Sequence, residues 1–342
     1  MTPRSRPGAD APFAFGRIER WALFSALGFA VVAVLAGFIA GGPDALRHLG
    51  RVGPGLVATL LALSLLNYLV RILRWQMFTR ASGLSVPDGA NGVYFLAGFA
   101  MSATPGKLGE AVRLWFLRRA HDLPYERTAG LMIADRLGDA AAASLLALAG
   151  LGGVFAGHGL AVAVAALAVA ALSGVLLAPR WSVPLVTRAW QVVGRAPRLF
   201  GSLRRMLQNM GRLGSPPLYL AGLALAIVGW GAEAYGLKLL LDAMGADVGT
   251  MQAVFVFCFA MLVGAVAMLP GGLGGTEVSM VGLLVALGVE VDVAIAATAI
   301  IRLTTLWFAV LVGFAALPLA LRLARREELA RARDAREARE AA

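Results

Sequence analysis

Charged side chains are scarce in this chain of 342 residues: Asp, Glu, Lys and Arg together make up 15%, against about 25% in a soluble domain. So few charges cannot cover a water-facing surface. Cysteine is almost missing. Cys258 stands alone, which excludes an intramolecular disulfide and leaves no thiolate metal site. The three histidines, His48, His121 and His158, fall in connecting segments without metal-ligand spacing, so no metal is expected. There is no glycine-rich phosphate loop either, and no cofactor is expected. The alternating pattern of a membrane β-barrel is absent as well.

What the chain has instead is apolar length. Hydrophobic residues make up 59% and the mean hydropathy is +0.76. Runs at Trp21–Ala40, Val52–Val70, Ala140–Phe155, Leu160–Ala178, Leu218–Gly231 and Thr304–Leu321 approach or reach the ~20 residues needed to span a bilayer. Unpaired backbone groups cost several kcal/mol in hydrocarbon, so these runs must be helices. The expected fold class is therefore all-α, a polytopic integral membrane protein. The first run has no small-residue cleavage site behind it and reads as a retained helix.

The net charge of +11 does not read as a nucleic-acid footprint, because of where it lies. From Arg180 to Arg212 there are seven arginines and no acid, whereas the connections at Asp242–Asp247 and Glu290–Asp292 are acidic. This asymmetry is the positive-inside signal. It divides the chain into a cytoplasmic segment (1–20), a membrane domain (21–322) with a basic cytoplasmic linker (179–215), and a charged cytoplasmic tail (323–342). The expected location is the bacterial cytoplasmic membrane, with both termini inside.

Two stretches resist simple threading. Asn91–Phe116 begins and ends beside basic flanks and is interrupted by Thr104-Pro105-Gly106-Lys107-Leu108-Gly109-Glu110. Ala253–Leu287 has acidic flanks and is broken at Leu269-Pro270-Gly271-Gly272-Leu273-Gly274-Gly275-Thr276-Glu277. Broken backbone at membrane depth is tolerated where it is buried in protein or lines a cavity, so both read as re-entrant hairpins, the first from inside and the second from outside. The expectation is about six spanning helices plus two hairpins; in a competing arrangement Ala253–Met268 crosses outright. In the linker, Leu199, Leu203, Met206, Met210 and Leu213 recur at spacings of four and three beside Arg198, Arg205 and Arg212. That pattern fits an interfacial helix on anionic headgroups or a plain helical linker.

The breaks also expose an internal repeat. Pro105 and Pro270 open similar Pro-Gly-x-Leu-Gly segments 165 residues apart. Ser82-Gly-Leu-Ser-Val86 matches Met244-Gly-Ala-Asp-Val248 at 162, which lays Arg71 over Glu233, and Arg136 overlies Arg302 at 166. The two units, about 52–151 and 217–321, thread in opposite directions. Inverted repeats with broken elements near the midplane are the plan of alternating-access transporters.

Charges within the spans are the remaining signal, since each costs ~2.5–3.5 kcal/mol at mid-bilayer. Arg71 and Arg74 share one helical face, with Asn67 a turn back. Lys107, Glu110 and Arg113 surround the first break; Asp135, Arg136 and Asp139 follow. Glu233, Lys238, Glu277 and Arg302 complete the set. These residues either pair with one another, as Arg71 with Glu277 or Glu110 with Arg302, or engage an anionic headgroup, which arginine's forked donors suit. Snorkelling to the interface is the plainer account of Arg74, Arg80 and Arg113. Asp135 and Asp139, four apart, also admit a magnesium-binding reading.

Asn67-x3-Arg71-x2-Arg74-Trp75, the two Pro-Gly breaks, Asp135-Arg136 and Arg302 with Trp307 together resemble the lysylphosphatidylglycerol synthase transmembrane family, over roughly Trp21–Leu321. That family includes the flippase half of the bacterial multiple peptide resistance factor and stand-alone proteins linked to hopanoid or polyprenyl-lipid pathways. The resemblance implies lipid translocation without catalysis, with headgroup contacts at Arg71, Lys107, Glu110, Arg136, Glu277 and Arg302. Arg74, on the same helical face as Arg71, and Asp135, next to Arg136, join that set. The glycines of the breaks, Gly106, Gly109, Gly271, Gly272, Gly274 and Gly275, would let backbone N–H groups approach the same oxygens. The chain stops soon after its last helix, so a stand-alone member lacking the synthase domain is expected. Membrane lipids with anionic headgroups are the expected partners, nucleic acid is not, and lipid-biosynthesis enzymes are a further class. An intramembrane lipid-modifying enzyme and a non-catalytic subunit of a lipid pathway are the alternatives.

Overall fold

The computed structural model describes residues 52–104, 108–154, 159–194, 197–211, 213–269 and 271–341. The expected first helix at Trp21–Ala40, and Pro105, Gly106, Lys107 and Pro270 of the breaks, lie outside the described residues. Every regular element among the described residues is helical. The chain is an all-α membrane protein.

In chain order the helices are α1 (Pro54–Ala81), α2 (Asp88–Gly98), α3 (Val112–His121), α4 (Tyr125–Val154), α5 (Gly159–Leu177), α6 (Pro179–Val193) and α7 (Pro197–Asn209). They continue as α8 (Pro216–Ala243), α9 (Thr250–Val266), α10 (Gly275–Ala286), α11 (Val291–Arg302) and α12 (Phe308–Glu340). Prolines open α1, α6 and α8, where the missing N–H costs nothing. Among the described residues α1, α8 and the continuous stretch Val291–Glu340 are long and apolar enough to cross a membrane, and a bent pair at α5–α6 raises the number to at most four. Five are expected over the same residues. Beyond these four, the fifth expected span corresponds to α4, a helix of 30 residues that carries Asp135, Arg136 and Asp139 in its first half.

Both interrupted segments fold back on themselves. In the first, α2 runs through a 3-10 turn at Phe99–Met101, and the chain returns through a second one, Leu108–Ala111, into α3, which packs beside α2. In the second, α9 packs against α10 across a turn in which Gly271, Gly272 and Gly274 have φ of 62°, 70° and 84°. Only glycine adopts such angles without strain. The Gly274 N–H donates to Glu277 Oε2 at 2.6 Å, capping the start of α10 from its third residue.

Packing between the halves is reciprocal. α1 lies along α8; α4, which follows the first hairpin, lies on α9 of the second, and α12, after the second hairpin, lies on α2 of the first. The two main apolar clusters follow this division, one centred on α8–α11 and the other on α1–α4 and α12. A small third cluster of Ala103, Leu306, Trp307 and Val310 sits where the hairpins meet.

The linker favours the plainer of its two readings. Met206, Met210 and Leu213 are buried, and a Cβ at Gly130 of α4 would lie 2.6 Å from Met210 Cγ. The apolar side of α7 is thus taken up by protein packing, and Arg205 Nη2 donates to Glu126 Oε1 at 2.9 Å. The tail is helical to Glu340, with pairs Arg333–Glu337 and Arg336–Glu340 along its surface.

Two outcomes follow. A Cβ on Gly313 would run into the Phe99–Ala100 backbone, so Gly313→Leu should destabilise by about 1–3 kcal/mol, read as a lowered Tm in detergent. The Arg205 guanidinium holds the Glu126 carboxyl below its ordinary 4.5. A depressed folded pKa means the contact is complete above pH about 4.5 and is lost as pH falls through the folded value. Hydrogen-exchange protection across residues 197–209, taken relative to the intrinsic rate at each pH, should accordingly fall on acidification, and Glu126→Gln should abolish that dependence.

Candidate functional site

Seven charged side chains from three places converge in the interior. α1 supplies Arg71 and Arg74, the chain after the first break supplies Glu110 and Arg113, and α4 supplies Asp135, Arg136 and Asp139. Arg74 donates from Nε to Asp135 Oδ1 at 3.1 Å and from Nη2 to Asp139 Oδ1 at 2.6 Å, and its Nη2 also pairs with Asp135. Arg71 Nη2 donates to Asp139 Oδ2 at 3.1 Å. Arg113 pairs with Glu110 and lies 3.5 Å from Asp135. Arg136 Nη2 donates to Asp135 Oδ2 at 2.6 Å and is 3.3 Å from both Glu110 and Asp139. Ser102 donates its hydroxyl to Glu110 Oε1 at 2.9 Å, and the Trp230 indole N–H donates to Asp139 Oδ1 at 3.3 Å. Aromatic rings flank the cations: the Arg113 guanidinium lies 4.3 Å from the Phe95 centroid, and that of Arg71 5.4 Å from Phe99.

A second pair stands across the interface. Arg302 Nε donates to Glu277 Oε1 at 2.6 Å, and its Nη2 to the Gly271 carbonyl at 2.7 Å. The breaks touch here, with the Gly271 N–H donating to the Thr104 carbonyl at 3.4 Å. Immediately after Arg302 the helix widens into a π turn, Leu303–Trp307. Its Thr304 and Thr305 carbonyls accept hydroxyls from Ser64 and Tyr68 of α1, each at 2.7 Å. Such turns leave backbone groups that need outside partners, and they recur at functional sites.

Several expectations change. Arg71 meets Asp139, not Glu277, and Glu110 meets Arg113 and Arg136, not Arg302. The pairs close within each half because α1, α3 and α4 cross at one level. Arg74 and Arg113 are wholly buried and do not snorkel, whereas Arg80 is exposed and pairs with Asp88. Asp135 is fully enclosed and contacts Arg74, Arg113 and Arg136. With four guanidinium groups around them, Asp135 and Asp139 are an unfavourable home for a divalent cation.

Two cavities adjoin the cluster. One of about 380 Å³, between α4 and the second hairpin, is lined by Arg136, Asp139, Trp230, Met261, Gly271 and Thr276 among otherwise apolar walls. The other, about 40 Å³, is bounded by Asn67, Arg71, Glu110, Glu233 and Arg302. Trp230 and Met261 stand in the walls of both. Arg136 is the most open of the four arginines, with its side chain 28% exposed, and its Nε has no hydrogen-bond partner among the described residues. The sequence marks Arg113 and Asp139 as charges within the spans without placing them in the site; their i,i+3 and i,i+4 spacings to Glu110 and Asp135 were the available signal. Trp230 carries no such signal.

Residues 25–313, which contain the whole charged cluster and both cavities, match the family described as lysylphosphatidylglycerol synthase TM region. The chain belongs to this family. It is similar to a UPF0104 membrane protein of Methanothermobacter thermautotrophicus, 27% identical over 320 residues, covering 84% of this chain and 92% of that protein. A UPF0104 membrane protein of Pyrococcus horikoshii is 24% identical over 288 residues, covering 73% and 84%.

Removing one partner from a buried ion cluster strands the others in low dielectric, at a cost of about 3–5 kcal/mol. Asp135→Ala should therefore lower the Tm in detergent far more than Asp88→Ala, whose carboxylate pairs with Arg80 at the exposed end of α1.

Proposed function

We propose that this family member is a non-enzymatic lipid translocase of the cytoplasmic membrane, moving an anionic or polyisoprenoid- or hopanoid-type lipid between leaflets. The observation that carries this reading is Arg136. Its guanidinium leads from a buried ion cluster into a 380 Å³ cavity whose remaining walls are mostly apolar. A lipid presents the complementary pair of surfaces, an anionic headgroup for the arginine and a chain for the walls. Arginine binds phosphate in a forked geometry, and its charge persists at any physiological pH.

Support for alternating exposure comes from the architecture. α1 and α8 both run for 28 residues, and the interval from Pro54 to Pro216, from Ala81 to Ala243 and from Asp88 to Thr250 is the same 162 residues. Together with the reciprocal packing of α4 on α9 and α12 on α2, this favours inverted repeats rocking about the Thr104–Gly271 contact. Asp135 and Asp139 hold the arginines in place while a headgroup exchanges onto Arg136, and Arg302 with Glu277 serves the opposite half.

The test uses purified protein in liposomes carrying a fluorescent anionic phospholipid, with dithionite reporting exposure in the outer leaflet. The native chain should accelerate loss of the protected fraction. Arg136→Ala and Arg302→Ala, each confirmed as folded by size-exclusion profile, should slow it at least ~10-fold, the loss of one charge-assisted contact of about 1.5–3 kcal/mol. Unchanged rates in both variants would remove these residues from the route, and a native chain no faster than protein-free liposomes would refute translocation.

A further inference from the structure

The end of α5 and the helix after it define a surface that the translocation reading does not use. Leu167–Leu177 and Pro179–Val192 are apolar enough to count together as one span, yet they are bent by 75° across Ala178. If α5 follows the bilayer normal, α6 lies nearly in the membrane plane. One side of α6 belongs to the protein: Ser182 is buried, and Val183 and Val186 pack onto the core. On the outward side, Trp181 is 54% exposed, Leu185 53% and Val192 87%. Arg180 and Arg188 are exposed among them, and no acid occurs from Arg180 to Arg212.

We propose that this outward side of α6 is a docking surface for the anionic headgroups of the adjoining leaflet. Trp181, Leu185 and Val192 enter the boundary between headgroups and acyl chains, and Arg180 and Arg188 take the phosphates. Amphipathic helices bind in this way, with the apolar side ~5–10 Å into the boundary and arginines attracted by the leaflet's negative potential. Charge selects the occupant: a basic surface without acids, at the end of a span and angled away from it, matches an anionic monolayer. α7 hands this contact onward, because Arg205 binds Glu126 and Met210 packs on Gly130 at the start of α4. The leaflet that grips α6 therefore anchors the end of the helix that carries Asp135, Arg136 and Asp139.

The surface is tested apart from any transport. In a Cys258→Ala background, a nitroxide is attached at Leu185→Cys or Val192→Cys, and the protein is placed in nanodiscs of phosphatidylcholine alone or with about a third phosphatidylglycerol. Collisions with oxygen should exceed those with a water-soluble nickel chelate, and more so in the anionic discs. Native mass spectrometry should find phosphatidylglycerol retained over phosphatidylcholine, and Arg180→Gln and Arg188→Gln should each lower that preference about fivefold. A label open to nickel in both discs, or shielded from both reagents as by a protein partner, overturns the proposal. So does an unchanged lipid preference in the double variant.

Discussion

A charge in hydrocarbon must find a partner, and this constraint organises the interior. Arg71, Arg74 and Arg113 would each be costly in a span taken singly. Gathered around Glu110, Asp135 and Asp139, they become a reason for α1, α3 and α4 to meet at one level and in one register. Apolar contacts between helices in lipid specify little, because the tails outside are as apolar as leucine. Ion pairs of fixed geometry supply the specificity that the apolar walls lack. The same pairs leave Arg136 held on one side and open on the other, which is how a structural cluster comes to border a cavity.

The second constraint is the broken backbone. A chain that stops being helical inside a membrane exposes carbonyls and N–H groups that need partners. Here the breaks serve one another, through Gly271 and Thr104, and the Arg302 guanidinium covers the Gly271 carbonyl. Hairpin tips, the Arg302–Glu277 pair and the π turn are therefore one connected region, and movement of either hairpin is felt at the α11–α12 junction.

Much of the helical framework was legible in the residues. Proline at Pro54 and Pro216 and glycine in the Gly271–Gly274 turn are local instructions, and hydrocarbon thickness sets helix length, so element limits can be read one segment at a time. The partners of Arg71 and Glu110 could not be read in this way, because pairing depends on where three helices cross, and several acids satisfy the same chemistry. The linker shows the same limit. Leu203, Met206 and Met210 announce an apolar side, but only the tertiary position of Gly130 decides that protein rather than lipid covers it.

The π turn at Leu303–Trp307 carries a consequence for phase. It inserts one residue beyond an ordinary turn, and each residue of an α-helix advances the azimuth by about 100°. The arm after Trp307 is rotated by that amount relative to a straight rod. Arg302 can then address the second hairpin while Gly313, eleven positions on, nestles against the first. A chain of this kind that has shed the extra residue would show a one-position gap inside an otherwise ungapped helix, and its two arms would face different neighbours.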